Sequence, residues 1–482
     1  MSNYIGITIG PIVGTLKLAH SPAAMWYASF MFSSLTELIC SKIDKDKIIS
    51  PYYDGTKYDD GIGRYHDRII IRDIPFEDVM KAVEESKEKI AKRVAEDLNK
   101  PDDKEIIDFV KGYLQVHLCN IPELKENANP ILELGKKLDV LELMVSPNPD
   151  NTNNPFFELL KGNKFIKNRI KNISEDSQLF KTGKNLRSIP DIASEKPEED
   201  RTLKREIYYA VVEADGDGMG NYISSLKKDE LNSFSKKCLE WAGKASEYIK
   251  EYGGMAVYAG GDDLLFLAPV YSEKSNLEKE TQHVETVYGL CDFLSMEFKK
   301  AFSSDNGPTL SFGISIRREG FPLYESLDSA LSALYGAKKN GGNAMLIDFE
   351  KGSGQAIKML VPFNAYNCFK DVLSLYNTSN DNLKSAIYAI EEFKELFKLA
   401  LKGEVKAENV INNTFDNQDQ KKHSDFLDRF AEQFKEFSEN GTDITVTELG
   451  RNCDEDTEYK RLITFEGILR LSKFMLEKKG DK

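Results

Sequence analysis

Two adjacent carboxylates, Asp262 and Asp263, follow Gly260-Gly261 and stand between the apolar runs Met255 to Tyr258 and Leu264 to Leu267. Neighbouring like charges oppose each other's ionisation unless a cation neutralises them. A divalent metal meets that need, because Mg²⁺ is held by one or two carboxylates together with substrate phosphates. A polar turn tip, merely solvated, is the plainer reading of the pair taken alone. Upstream, Glu213-Ala214-Asp215-Gly216-Asp217-Gly218-Met219-Gly220 adds carboxylates and glycines that let a backbone approach a ligand closely. Amides of Gly216, Gly218 and Gly220 are candidate phosphate donors. Lys338 and Lys339 come later, before Asn340-Gly341-Gly342-Asn343. Three convergent carboxylates with a lysine suit two-metal nucleotidyl transfer.

The elements that must position these groups are legible around them. Ile207 to Val212 is β-branched and aromatic and reads as a strand delivering Asp215 to a sheet end. The runs flanking Gly260-Gly261 read as a β-hairpin with a glycine turn. A strand from Thr309 to Ile316, a helix from Leu327 to Lys339, and a turn and strand from Asn340 to Ile347 follow. Helices Leu231 to Tyr252 and Glu278 to Phe302 are expected to cover one sheet face. Strand, helix, hairpin, helix, strand, helix, strand is the order of a ferredoxin-like palm with an extra hairpin. In that palm the first strand lies beside the hairpin, so Asp215 meets Asp262 and Asp263.

Asp-Gly-Asp-Gly-Met-Gly, Gly-Gly-Asp-Asp, Ser311-Phe312-Gly313-Ile314-Ser315 and Ala333 to Asn343 fall in the order used by palm-type nucleotide cyclases. The first piece, with Gly-Gly-Asp-Asp, resembles the large polymerase–cyclase subunit of type III CRISPR effector complexes. So do Ile9-Gly10-Pro11-Ile12, the tryptophan-bearing stretch Ser21 to Ser29, Tyr65-His66-Asp67-Arg68-Ile69 and Leu186 to Ala193. Diguanylate cyclases share the later pieces, but their guanine-reading asparagine falls near Ile223, and their final Gly-Arg-Asn is Gly341-Gly342-Asn343. Both departures argue against cyclic diguanylate.

The chain has 482 residues, enough for about three or four domains. A formal net charge of −14 excludes non-specific nucleic-acid binding by the whole surface. No signal peptide and no membrane-spanning run is read, which implies a cytoplasmic location. The six cysteines lack Cys-x-x-Cys spacing, so they are expected as reduced core thiols. The fold class expected is α+β, with two ferredoxin-like palms and two helical domains. Residues 1–100 form a degenerate first palm, 101–204 a helical domain and linker, 205–355 the catalytic palm, and 356–482 a helical bundle. His66-Asp67 is the only His-Asp dipeptide and reads as a loop pair before a strand, not as a nuclease centre. The N-terminal nuclease domain of many such CRISPR subunits is expected to be absent, and so is their zinc cluster.

The resemblance implies a nucleotidyltransferase that makes cyclic oligoadenylate from ATP when target RNA binds. Asp215, Asp262 and Asp263 would be catalytic and, with Asp217, would hold Mg²⁺ or Mn²⁺. Gly216, Gly218, Gly260, Gly261 and Lys338 would bind the nucleotide, with Lys338 on the triphosphate. Effector subunits, guide RNA and target RNA are the implied partners, with no membrane. One alternative joins AMP from ATP to S-adenosylmethionine; another is a scaffold that binds RNA and protein without catalysis.

Overall fold

The computed structural model describes residues 3–58, 60–125, 128–143, 154–161, 164, 166–181, 184–193, 207–273, 275–279, 282–302, 307–415, 424–448 and 457–479. Cys453 and most of the expected 147–155 loop lie outside them. The N-terminal part runs β1 (Tyr4–Gly10), α1 (Ile12–Leu16), α2 (Pro22–Cys40), β2 (Ile48–Ser50), β3 (Arg68–Arg72), α3 (Phe76–Asp97), α4 (Lys104–Tyr113), β4 (Gln115–Ile121), α5 (Pro130–Glu142), α6 (Pro155–Leu159) and α7 (Ile189–Ala193). Its sheet has the order β2-β3-β1-β4. Alternation in β1 sends Ile5, Ile7 and Ile9 into a core with α2 and α3, while Tyr4 packs with Leu134 and Leu138 of α5. The Ser21 side chain caps α2 by accepting from the Ala24 N–H at 3.2 Å, and Pro22 opens the first turn.

The helical pattern expected from Asp102 onward holds to Tyr113, is broken by a strand, and resumes in α5 and α6. Gln115–Ile121 is a strand antiparallel to β1, so this sheet extends past residue 100. Its side chains are mostly half-exposed, which weakens the period that would have marked a strand.

The second sheet has the order β13 (Thr445–Glu448), β12 (Ala356–Pro362), β11 (Ala344–Glu350), β10 (Thr309–Arg318), β5 (Tyr208–Asp217), β7 (Asp263–Pro269), β6 (Met255–Gly260). Its strands and helices are β5 (Tyr208–Asp217), α8 (Met219–Ser225), α9 (Leu231–Tyr252), β6 (Met255–Gly260), β7 (Asp263–Pro269), the ribbon β8 (Glu278–Lys279) and β9 (Gln282–His283), α10 (Val287–Ala301), β10 (Thr309–Arg318), α11 (Leu323–Lys339) and β11 (Ala344–Glu350). The expected helix from Glu278 therefore begins at Val287, where the Thr286 side chain accepts from the Gly289 N–H at 3.1 Å. α9 and α10 bury one face of the sheet, and α11 lies on the other with Leu323, Leu327 and Ala330. A Cβ on Gly313 would run into the backbone of Ala330 and Leu334, so α11 rests directly on β10 there.

β12 (Ala356–Pro362) adds to this sheet where a helical region was expected, and β13 (Thr445–Glu448) closes its edge. The remaining C-terminal part is helical: α12 (Tyr366–Leu373), α13 (Asn380–Glu392), α14 (Lys394–Leu401), α15 (Ala407–Thr414) and two long helices, Ser424–Asn440 and Thr457–Lys479. Phe434 packs edge-on to Phe465 at 4.9 Å, and Phe474 joins the bundle to the sheet 4.4 Å from Phe349.

The two sheets are joined by the loop before β3. Gly63 bridges Tyr258 in parallel, and the Ala259 N–H donates to the Gly63 carbonyl at 3.1 Å. Asn232 of α9 donates to the Ile48 carbonyl at 3.1 Å. Arg187 donates to the Gly253 and Gly254 carbonyls at 2.7 and 2.8 Å, which ties the segment before β5 to the α9–β6 turn.

Candidate active site

Alternation along the strands sorts the carboxylates onto one sheet face. Tyr208, Ala210, Val212 and Ala214 of β5 point into the core under α9 and α10, whereas Tyr209 and Val211 face α11 and the N-terminal part. Glu213, Asp215 and Asp217 continue that second face. Leu265 and Leu267 of β7 lie on it too, and Asp263 shares their parity. The face carrying the acids thus looks toward the N-terminal part.

The β6–β7 hairpin pairs Gly260 with Asp263, leaving Gly261-Asp262 as a two-residue loop. Gly261 has φ +74° while Asp262 does not turn left-handed, the pattern of a type II′ turn with glycine first. Asp262 is therefore the tip and Asp263 the first residue of β7. Asp215 lies one step beyond the last β5–β7 pair, Ala214 with Leu264, hence opposite Asp263. Their carboxyl groups share a hydrogen bond. Asp262 accepts from its own backbone N–H and from that of Gly216. Gly216 permits this approach, since a Cβ there would stand 2.5 Å from Asp262 Oδ2.

Lys338 Nζ, at the end of α11, donates to Asp215 Oδ2 and, at 2.9 Å, to the Gly216 carbonyl. Lys339 is exposed. Loss of solvent and then the Asp215 charge push Asp262 up to about 6, against its amide donors and Lys338. The same loss of solvent, then Asp262 and Asp215, raises Asp263 well above the usual range, although its outer edge stays open to solvent. Burial, with Asp215 nearby, takes Glu213 up to about 8.

Asp217, expected in the metal set, is ringed by hydroxyl and amide donors. Its carboxylate accepts from Thr309 Oγ1 at 2.9 Å, from Ser311 Oγ at 2.8 Å and from the Asn343 N–H at 2.8 Å. Donors surround it, so it pins the Gly341–Asn343 turn to the ends of β5 and β10. Gly342 has φ +71° and a Cβ there would lie 2.7 Å from Asp217 Oδ1, so no side chain fits at the place of the diguanylate-cyclase arginine. Ile223 packs against Leu231 and the outer face of the N-terminal sheet. Among the described residues no three His, Cys, Asp or Glu side chains are spaced as a metal cage. Asp215, Asp262 and Asp263 converge with Lys338 beside Asp215, and the charges of Glu213 and Asp67 reach the same group.

Among the expected nucleotide-binding glycines, Gly216 is engaged through both its amide and its carbonyl. Gly218, at φ +73°, has no neighbour within 4 Å of a Cβ position, while its carbonyl accepts from the Tyr222 N–H at 3.1 Å. Gly260 is covered by the Tyr258 ring. His66 is a joint: its Nδ1 accepts from the Arg68 N–H at 3.3 Å and its Nε2 meets Ser50 Oγ at 3.0 Å. The residue that local sequence did not reveal is Asp67, whose negative charge acts on both Tyr258 and Asp263. Only the register of the Gly63–Tyr258 bridge brings it there.

Residues 208–346 match the family model of the second palm domain of Cas10/Cmr2. The CRISPR system Cmr subunit Cmr2 of Pyrococcus furiosus is 26% identical over 193 residues, which cover 34% of this chain. They span only 21% of that relative, about a fifth of its length. A type III-B Cmr-beta structure in the apo state has a similar fold, with TM-score 0.59, 10% identity, and coverage of 100% of this chain and 82% of that one. A Csm1-Csm4 cassette in complex with pppApA gives TM-score 0.54 at 14% identity, covering 98% of this chain and 69% of that one. Among the described residues no helix is long and apolar enough to cross a membrane. The chain is thus a palm-domain protein that resembles the Cas10/Cmr2 subunits of type III CRISPR complexes, with their second palm matched at residues 208–346.

Proposed function

We propose that this chain is the nucleotidyltransferase subunit of a type III CRISPR antiviral complex and turns ATP into an adenylate second messenger. The observation that carries the reading is the convergence of Asp215, Asp262, Asp263 and Lys338 at one sheet end. The fold likeness to Csm1-Csm4 cassettes in complex with pppApA and pppApApA, at TM-scores 0.54 and 0.51, supports an adenylate product. Guide RNA, target RNA and the other effector subunits are its proposed partners, with residues 356–482 docking helical subunits. Residues 205–355 carry the chemistry, and the N-terminal sheet, read as a degenerate first palm, forms the opposing wall.

The donor set fits Mg²⁺ or Mn²⁺. Asp215 Oδ2, the Gly216 carbonyl and Asp262 are hard oxygens, and a cationic group, the Lys338 ammonium, already bridges two of them. Divalent ions held by Asp215, Asp262 and Asp263 would supply charge stabilisation and activation of the attacking hydroxyl. Lys338, which reaches Asp215 and the Gly216 carbonyl, would neutralise the triphosphate. Asp217 would keep the Asn343 turn in place through the 2.8 Å bond from the Asn343 N–H and leave the metals to the other three carboxylates. The acceptor 3′-oxygen bonds to the α-phosphorus of ATP, the bond to pyrophosphate breaks, and the hydroxyl proton leaves through the carboxylates to water.

The test is mass spectrometry of the products made from labelled ATP by the complex with target RNA. An adenylate product with stoichiometric pyrophosphate is expected. Unchanged ATP under every condition would leave a non-catalytic scaffold in its place.

A further inference from the structure

A cavity of about 250 Å³ lies between α2, α3 and the loop before β3. Tyr27, Phe30, Met31, Ser34 and Glu37 recur at helical spacing and form its α2 stripe, and Ile90, Arg93 and Val94 form that of α3. Gly61 closes one side, held by the Trp26 indole N–H, which donates to its carbonyl. Gly61 lies two residues before Gly63, the bridge to Tyr258, so the cavity is level with Ala256. The Asp262 tip stands six residues further along, on the order of 20 Å away, so this is not the catalytic site.

Two charged groups of this cavity are unmatched. Glu37 and Arg93 are both half-buried, and each feels the other's charge, yet they stand too far apart to pair. Among the described residues neither side chain makes a hydrogen bond or an ion pair. Arg169 is engaged elsewhere, donating to Asp97 at 2.9 Å and to the Arg93 carbonyl at 3.3 Å. The Tyr27 hydroxyl donates to the same Asp97 carboxylate at 2.6 Å. That network fixes the wall and leaves the Arg93 guanidinium to the cavity. A ligand with donors for the carboxylate and acceptors for the guanidinium relieves the cost of both. Trp26 stacks on one face of Phe30 at 5.1 Å, and the Arg64 guanidinium covers one face of Tyr58 at 4.4 Å. The other face of each ring remains for a flat group entering the cavity. Pockets that enclose a whole drug-sized ligand run to roughly 300–1,000 Å³, so this one suits a base whose sugar and phosphate stay outside.

We propose that this cavity binds a guanine base, at a site separate from the catalytic carboxylates and independent of the nucleotidyltransferase reading. Guanine presents N1–H and N2–H to the two oxygens of Glu37, and O6 and N7 to the fork of Arg93. Adenine, cytosine and uracil each offer the carboxylate a single donor group. Lys57 and Lys89, both exposed and both felt by Glu37, would meet the phosphate outside. A free guanine nucleotide and a guanine in single-stranded RNA present the same edges.

The probes are guanosine, inosine, adenosine and cytidine monophosphates, titrated by calorimetry into the purified full chain with non-hydrolysable ATP filling the catalytic site. Inosine lacks the N2 amine and so reports the bond to Glu37. Wild type is expected to bind guanosine monophosphate at least about tenfold more tightly than the other three, the worth of one hydrogen bond to a charged group. Glu37→Gln should weaken it by about tenfold to a hundredfold and erase the preference over inosine. Arg93→Lys keeps the charge without the fork and should weaken guanosine and inosine monophosphates alike. Unchanged urea midpoints separate recognition from folding, and the four-nucleotide comparison in wild type needs no variant. An oligouridylate with one guanosine, beside one with adenosine in its place, distinguishes the sources. Guanine preference in the strand alone assigns RNA, and preference among the monophosphates assigns the free nucleotide. No guanine preference in either form, or guanosine binding unaltered by Glu37→Gln, overturns the proposal.

Discussion

Replacing Asp217 separates a metal ligand from a structural pin. In Asp217→Ala, the Asn343 N–H loses its 2.8 Å acceptor, and Ser311 Oγ, fully buried, loses its own. Thr309 lies nearer solvent and can turn its hydroxyl to water. Two stranded buried donors at about 1–3 kcal/mol each give a loss of roughly 2–6 kcal/mol. Asp217→Asn keeps one accepting oxygen, and its amide can donate to Ser311, so its loss should be only about 1–2 kcal/mol. Urea denaturation of the purified chain measures both. Mn²⁺ binding followed by electron paramagnetic resonance should be unchanged in Asp217→Asn, because its carboxylate faces Thr309, Ser311 and Asn343 rather than Asp262. Weakened Mn²⁺ binding at unaltered stability would refute this and restore Asp217 to the metal set.

The joint at His66 predicts acid sensitivity. Its Nδ1 accepts from the Arg68 amide, so the ring is neutral with its proton on Nε2, and burial, aided by Arg68, lowers it to about 4. The unfolded chain, with an ordinary value of about 6.5, takes the proton first. Stability is therefore whole above pH 6.5 and falls as pH drops toward 4, by about 2–3 kcal/mol at most, reduced by the ring's remaining solvent contact. Urea midpoints at pH 7.5 and 4.5 should show a smaller drop for His66→Gln than for wild type, and equal drops would exclude this role. At Gly313, alanine should cost at least about 3 kcal/mol, because its Cβ meets the backbone of α11. α11 would lift and carry Lys338 away from Asp215, so activity should fall with stability; a variant within 1 kcal/mol of wild type would contradict the close approach.

The palm was legible because its signals are local. Positive-φ glycines mark the hairpin and the Gly341-Gly342 turn, and the apolar stripe of Leu231–Tyr252 ends where Gly253 turns left-handed at φ +101°. β4 escaped because its half-exposed side chains carry little periodicity, whereas β12 alternates, with Ile357, Met359 and Val361 buried, and was passed over beside the helical stretch that follows it. The partners of Asp217 were not legible, because Thr309, Ser311 and Asn343 lie about 90 to 126 residues away in sequence. The nearness of Asp67 to Asp263 was hidden for the same reason. Its neighbours suggested only a His-Asp pair before a strand, and its place depends on pairing between Gly63 and Tyr258 across the two sheets.

The most direct test of the central claim is pyrophosphate release from ATP with Mg²⁺ or Mn²⁺ by the complex bound to target RNA. Wild type would be compared with an Asp262→Asn/Asp263→Asn variant whose assembly and urea midpoint are shown to be intact. The account predicts metal-dependent release by wild type and its loss by at least about a hundredfold in the variant, more than 2.7 kcal/mol in the transition state. Equal release by both proteins would contradict it.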